Sequence, residues 1–248
     1  MRESEKKEKI KACIAMSIVM LAILLSVIFS IRYQVEGEAN MPFKLSKIMV
    51  VSTAEGKQKE GATEKWNLSI FQNNDIYFSI EKNEKYAKED LIENISIENI
   101  DIIKQPELGK IQAFMPNSSD GRLFTYTEDT IIKSNKLTYK GALKTNNKTL
   151  EIGNQGGTIV IRFSNTGVGN YISNDDEEIK HDGTMLAKTQ ATTDNIKFLV
   201  NFDFVINLKN NSYKTNISLE LPCSGNLLEK GTCSQEIQDK FIFKRVKV

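Results

Sequence analysis

The chain has 248 residues, of which 40% are hydrophobic and 26% are charged. These fractions are ordinary for a globular protein and exclude a largely disordered one. Its 33 basic and 32 acidic residues nearly cancel, and without the five basic and three acidic residues of positions 1–31 the remainder has 28 and 29. Nucleic-acid-binding proteins usually carry a basic excess, so this balance argues against DNA or RNA as a partner.

The N-terminal segment predicts a transmembrane helix over residues 12–31. This stretch contains no charged residue, and at about 1.5 Å per residue it spans roughly the 30 Å of a membrane's hydrocarbon core. Five basic residues precede it, whereas Arg32 is the sole basic residue between it and Asn40. The positive-inside rule then makes residues 1–11 a cytoplasmic tail at the cell membrane and places the rest outside. A cleaved signal peptide is the alternative, although its apolar region is usually shorter.

Residues 32–42 are expected to form a linker, and residues 43–248 an extracytoplasmic domain made of many short strands. The first strand is predicted over Leu45–Ser52. A hairpin is expected next, with Trp66–Ile70 and Ile76–Ile80 joined by the loop Asn73-Asn74-Asp75. A single helical turn over Tyr86–Leu91 and four more strands are also predicted, the strands at Ile92–Ile103, Leu137–Ala142, Gly157–Phe163 and Phe241–Val246.

The clearest pattern is a hairpin in which hydrophobic and polar residues alternate over Ile196–Leu208 and again over Tyr213–Leu221. Between them, Asn210 and Asn211 suit a two-residue turn because Asn tolerates positive φ. That turn sets Phe204 opposite Ile217, with both side chains on the buried face.

Many short strands with no alternation of strand and helix favour an antiparallel β-sandwich. The predicted fold is therefore mainly β, with an N-terminal transmembrane helix followed by an antiparallel β-sandwich ectodomain. Residues 43–248 suffice for one continuous sandwich or for two small ones.

Two cysteines form the first candidate site. Cys223 and Cys233 lie on either side of nine residues in the expected extracytoplasmic domain. A disulfide between them would stabilise the domain by about 2–3 kcal/mol on the chain-entropy estimate. Two free thiols are the alternative.

An acidic run is the second candidate, as a weak calcium site. Ca²⁺ takes six to eight oxygen ligands, and carboxylates are available at Asp175, Asp176, Glu177, Glu178 and Asp182. Their spacing does not match the EF-hand pattern, so a solvated acidic loop is the simpler interpretation. His181, the sole histidine, has no accompanying nucleophile motif and is assigned to the same exposed loop. We assign no catalytic residue, no cofactor and no other metal site.

Three stretches carry a resemblance, namely residues 32–38, 66–76 and 154–175. With them the chain resembles uncharacterised single-pass membrane proteins of low-GC Gram-positive bacteria over nearly its whole length. The resemblance implies a bacterial membrane protein and brings no catalytic residues with it.

An anchor, a sandwich and no reaction motif favour a non-enzymatic binding or scaffold protein of the bacterial cell envelope. Its expected partners are the membrane and a protein or envelope component. A transmembrane sensor or regulator acting through a cytoplasmic or membrane partner is one alternative. A carboxylate-based cell-wall hydrolase is another, because acid/base hydrolysis of glycans needs only two carboxylates.

Overall fold

The computed structural model describes residues 2–35, 41–86, 89–117, 121–223, 226–238 and 241–246. Strands make up 50% and helices 17% of the structure, which confirms the prediction of a mainly β fold. The strands form two sheets.

The N-terminal helix, α1, runs without a break from Arg2 to Tyr33 and so includes most of the predicted cytoplasmic tail. Within the described ranges, no helix is long and apolar enough to cross a membrane. The prediction of a transmembrane helix over residues 12–31 is therefore wrong. It considered the apolar run by itself, whereas the helix that forms is 32 residues long and begins in the charged segment before that run.

The remaining elements of the described residues follow α1 in chain order. The strands are β1 Gln34–Val35, β2 Phe43–Gln58, β3 Trp66–Lys82, β4 Ile92–Lys104, β5 Lys110–Phe114, β6 Leu137–Gly141, β7 Glu151–Ile152, β8 Gly156–Ser173, β9 Phe198–Leu208, β10 Ser212–Leu221, β11 Cys233–Ile237 and β12 Phe243–Val246. Two short α-helices lie among them, α2 Thr184–Lys188 and α3 Leu227–Lys230, together with single 3-10 turns at Glu128–Thr130, Ala142–Lys144 and Lys148–Leu150.

One sheet has seven strands in the order β1-β12-β10-β9-β4-β6-β7, and the other has five in the order β11-β2-β3-β8-β5. Neighbouring strands are antiparallel except for the short parallel pair β6 and β7. The sheets pack face to face through large aromatic side chains. Phe78 of β3 meets Phe202 and Phe204 of β9, with ring centroids 5.8 and 5.1 Å apart. Such interdigitation of two inner faces is the core of a β-sandwich.

A second, smaller hydrophobic cluster lies at one end of the five-stranded sheet. Leu68 and Ile70 of β3 pack there with Met185 and Leu186 of α2 and Leu227 of α3. The two short helices therefore cover the end of the sheet that the main core leaves open.

Most of the predicted strands are confirmed, because β2, β4, β6, β8 and β12 cover the predicted segments wholly or in large part. Several extend further, and β8 continues to Ser173. The predicted helical turn at Tyr86–Leu91 is wrong where it can be seen, since the described residues of that segment are not helical. Residues 87 and 88 lie outside the described residues.

The predicted hairpin at residues 66–80 is wrong, because Trp66–Lys82 forms one continuous strand. Asn73, Asn74 and Asp75 lie in its middle and pair with β2 on one side and β8 on the other. Three consecutive polar residues resemble a turn, but here each is buried and each finds a partner on a neighbouring strand. Cross-strand hydrogen bonds thus override the turn preference of Asn and Asp.

The hairpin of β9 and β10 is confirmed, but its predicted register is wrong by two residues. Phe204 lies opposite Thr215 instead of Ile217, and the first pair next to the loop is Asn207 with Ser212. The Ser212 hydroxyl donates to Oδ1 of Asn207 over 2.5 Å, which closes a loop longer than two residues. A shift of two leaves every side chain on its predicted face, so the hydrophobic pattern cannot detect it.

Candidate functional site

The outer face of the five-stranded sheet carries a set of polar side chains at the middle of β3 and β8. Ile76 and Phe78 point into the core, so the alternation of a strand places Asn73 and Asp75 on the opposite face. The segment that follows β5 crosses this face, where Phe114 and Phe124 pack on Val160. These aromatic rings shield the polar groups from water.

Arg162 of β8 is at the centre of this set. Its Nε and Nη2 atoms donate to the two carboxylate oxygens of Asp75 over 2.6 and 2.8 Å, and its guanidinium lies 4.3 Å from the centre of the Phe124 ring. The side chains of Arg162 and Asp75 are each only 11% exposed. Burial by itself lowers the pKa of Arg162, but the hydrogen bonds and charge of Asp75 outweigh it and raise that pKa. The guanidinium is therefore a fixed, permanently charged group.

Tyr126 links Arg162 to a second pair of charges. Its hydroxyl accepts from Nη1 of Arg162 over 3.2 Å and donates to Glu55 over 3.2 Å. Glu55 also pairs with Arg122 over 3.3 Å. Burial raises the pKa of Tyr126 well above its ordinary value, so its hydroxyl stays protonated and acts as a hydrogen-bonding group and not as a base.

An open groove of about 420 Å³ lies beside these residues. We call it the Arg162 groove. It is lined by Thr53 to Gln58 of β2, by Asn73 and Arg162 on the sheet, by Arg122 on the crossing segment, and by His181. Its size suits a small molecule or a single group of a larger one.

No protein-family model matches this chain, and neither the curated proteins nor the solved structures include one that matches it.

His181 closes the edge of β2 beside the groove. Strand β11 pairs with β2 only as far as Ser52, so in the described residues no strand covers that edge beyond this point. The backbone N–H of Gly56 instead donates to Nδ1 of His181 over 3.3 Å. The prediction of an exposed loop is confirmed, because His181 is exposed, but this histidine also lines the groove.

The acidic residues near His181 are spread over different partners. Asp176 pairs with Lys65, and Glu177 pairs with Lys188 and accepts from the Tyr171 hydroxyl. In the part of the chain that the structure describes, no three Asp, Glu, His or Cys side chains are placed to hold a metal ion.

The Asp182 carboxylate is engaged by Thr184 instead, because it accepts from the N–H and the hydroxyl of Thr184 over 2.9 and 2.5 Å. The structure gives no carboxylate cluster at Asp175, Asp176, Glu177, Glu178 and Asp182, so the weak calcium site stays a prediction without geometric support.

Cys223 and Cys233 lie side by side as thiols. The Cys233 Sγ atom is 3.6 Å from the carbonyl oxygen of Cys223. Burial is the main cause that raises the pKa of Cys233 to about 12. The hydrogen bond and the electrostatic interaction with Cys223 act in the same direction. Little of the Cys233 side chain is thiolate at neutral pH, so Cys233 is a slow nucleophile. The disulfide stays a prediction, now with the two side chains in contact.

Sequence reasoning missed the groove residues Glu55, Asn73, Arg122 and Arg162. The sequence pattern places Asn73 in a turn, and Glu55 and Arg122 are ordinary charged residues in their local sequence. The one available signal was Arg162 itself, because this charged residue stands between Ile161 and Phe163 in the hydrophobic strand pattern of residues 157–163. A charge in a buried strand needs a partner, but the sequence does not say which one.

Proposed function

We propose that this chain is a non-enzymatic binding or scaffold protein whose ligand docks in the Arg162 groove. One observation carries the proposal: the guanidinium of Arg162 is held rigid by Asp75 and Phe124, yet it lines an open groove. A charge held in one orientation before the ligand arrives loses little entropy on binding.

The same observation is hard to explain by stability alone. A buried ion pair adds little stability compared with two well-packed hydrophobic residues, because both charges lose their hydration. Perturbed charged groups beside a groove are typical of functional sites. Among the described groove residues, the acidic group Glu55 is already engaged by Arg122 and Tyr126, which suits recognition better than acid/base chemistry.

Site-specific photo-cross-linking in the native cells tests this function. A photoreactive amino acid replaces Gln58, which is exposed in the groove, and the matched control replaces Lys140, which is exposed on the other sheet. We expect a defined cross-linked product from position 58 that is absent from position 140. Equal labelling at both positions, or none at either, would contradict a ligand site in the groove.

A position outside the cytoplasm, in the cell envelope, is part of the proposal. Its supports are the resemblance to bacterial membrane proteins and the disulfide predicted between Cys223 and Cys233, because disulfides form in oxidising compartments. Protease added to intact cells tests it. If the protein is degraded only after the cells are opened, the proposed location is wrong. This result would not affect the proposal that the groove binds a ligand.

A further inference from the structure

We propose that the Arg162 groove binds an oxyanion, a carboxylate or phosphate group of the ligand, through Arg162, Arg122 and Lys57. This inference rests on the proposed binding function and names the chemical class that the groove recognises.

Arg162 has N–H donors beyond those that contact Asp75 and Tyr126. A guanidinium carries five N–H groups, and Arg162 uses three of them on Asp75 and Tyr126 within the described residues. The two that remain belong to Nη1 and Nη2, the atoms that form bidentate contacts with carboxylate and phosphate oxygens. Because Asp75 and Phe124 already fix the plane of the guanidinium, these two donors have a defined direction.

Arg122 and Lys57 add charge at the open side of the groove. The side chain of Arg122 is 65% exposed, and its Nη1 atom lies 3.3 Å from Glu55. Lys57 is exposed and lines the same groove. Both side chains are long enough to turn toward a bound anion without moving the sheet.

The charge balance of the groove favours an anion. Three basic residues, Lys57, Arg122 and Arg162, face one acidic residue, Glu55, which leaves a net charge of +2 in the lining with His181 neutral. Asp75 lies behind Arg162 and reduces the local sum to +1. Asn73 lines the groove as well, and it is uncharged, so it leaves this balance unchanged.

The test is a two-dimensional NMR titration of the isotope-labelled full chain. Inorganic phosphate and acetate are the two probes, added in separate experiments at constant ionic strength maintained with chloride. We expect saturable shifts of the backbone signals of Thr53, Lys57, Asn73 and Arg122 with at least one probe. Saturation by phosphate alone or by acetate alone identifies the form of oxyanion.

Three variants assign the binding to these residues. Arg122→Ala should weaken the affinity about tenfold, the loss expected for one charge-assisted contact, and Arg122→Lys should weaken it less. Lys140→Ala, on the other sheet, should leave it unchanged. Because Arg122 and Lys140 are exposed, all three variants are expected to unfold at the parent's temperature.

Shifts that do not saturate with either probe, or an affinity that ignores Arg122→Ala, would overturn the oxyanion class. The cross-linking experiment separates this failure from that of the proposed function. A product captured at position 58 together with failed titrations would keep the binding groove and reject the oxyanion. Failure of both experiments would reject both.

Discussion

At the scale of single residues, the buried charged groups Arg162 and Asp203 each have several hydrogen-bonding partners. Asp203 of β9 is the clearest example outside the groove. Its carboxylate accepts from Asn99 over 2.7 Å, from Asn216 over 3.1 Å and from Lys214 over 3.2 Å. Burial by itself raises the pKa of Asp203, but these three partners outweigh it and lower that pKa.

We predict a pH-dependent loss of stability in Asp203→Asn. A carboxyl group whose pKa is lowered by folding stabilises the folded state above its ordinary pKa, and this contribution disappears as the pH falls through the lowered value. The variant should therefore unfold about 1 kcal/mol more easily near neutral pH, and its difference from the parent should shrink below about pH 4. Urea unfolding at a series of pH values measures this.

The control for Asp203 is Glu220→Gln. The Glu220 side chain is 67% exposed and its distance to Lys197 is 3.8 Å, so its removal should change the free energy of unfolding by less than about 0.5 kcal/mol. A difference between Asp203→Asn and the parent that stays constant across the pH range would show that the carboxylate charge is not what matters.

At the scale of the elements, β3 shows how a polar segment can be the centre of a strand. On its inner side, Asn74 accepts from Ser52 over 2.8 Å and exchanges two hydrogen bonds with Gln72 over 3.0 and 2.9 Å. On its outer side lie Asn73 and Asp75. The polar residues on the inner face of β3 therefore form hydrogen bonds inside the sandwich, and those on the outer face lie beside the groove.

A one-residue insertion distinguishes a strand from a turn at this place. One extra Gly between Asn73 and Asn74 would move half of β3 to the opposite face, so we predict that the chain loses several kcal/mol or fails to fold. An extra Gly after Gly61, which lies in an exposed turn with φ of +73°, should cost less than about 1 kcal/mol. Circular dichroism and urea unfolding of the two variants give the comparison, and equal tolerance would contradict a continuous β3.

The loop between Cys223 and Cys233 yields a prediction about oxidation. Treatment with oxidised glutathione should join the two thiols and release reduced glutathione, and the closed loop should raise the free energy of unfolding by about 2–3 kcal/mol. The reaction should be slow at neutral pH, because the pKa of Cys233 is raised to about 12.

Mass spectrometry of the Cys13→Ser variant checks the disulfide without cross-reaction from the third cysteine. The expected result is a chain mass lower by two hydrogens, with no glutathione attached. A stable mixed disulfide with glutathione, without ring closure, would show that the side chains cannot reach bonding geometry.

At the scale of the whole molecule, the main hydrophobic core contains residues of both sheets, and the smaller cluster shares β3 with it. We predict that the two unfold together in one transition. Trp66, the sole tryptophan, packs against the smaller cluster and reports on it by fluorescence, whereas circular dichroism reports mainly on the sheets. Coincident curves are expected, and two separate midpoints would mean that the cluster under α2 and α3 unfolds independently.

The sequence predicts the strands of this fold well where one face is uniformly hydrophobic. Residues 198–208 alternate so regularly that their inward face is evident, and β9 forms there. The pattern fails where a buried side chain is polar, as at Asn73–Asp75, because burial then depends on partners that lie far away in the chain. It also cannot detect a register shift of two residues, which moves no side chain to the other face.

The candidate groove could not be predicted for the same reason. Glu55, Arg122 and Arg162 come from three distant segments and meet only because β2, β3 and β8 are neighbours and the segment after β5 crosses over them. Neither Glu55 nor Arg122 differs locally from a solvent-exposed charge, and the signal at Arg162 does not name its partners. The helix prediction at the N-terminus failed differently, since it judged an apolar run without the rest of the helix to which it belongs.

The pairing of Arg162 with Asp75 has a consequence for engineering. A matched pair of aliphatic side chains at these two positions would satisfy the same volume without removing any charge from water, so a sequence optimised for folding alone would not choose the ion pair. On the outer face of β3 and β8, substitutions that raise thermostability are thus expected to weaken ligand recognition. A stabilised version of this protein would be simplest to obtain there, and it would be the version least able to bind.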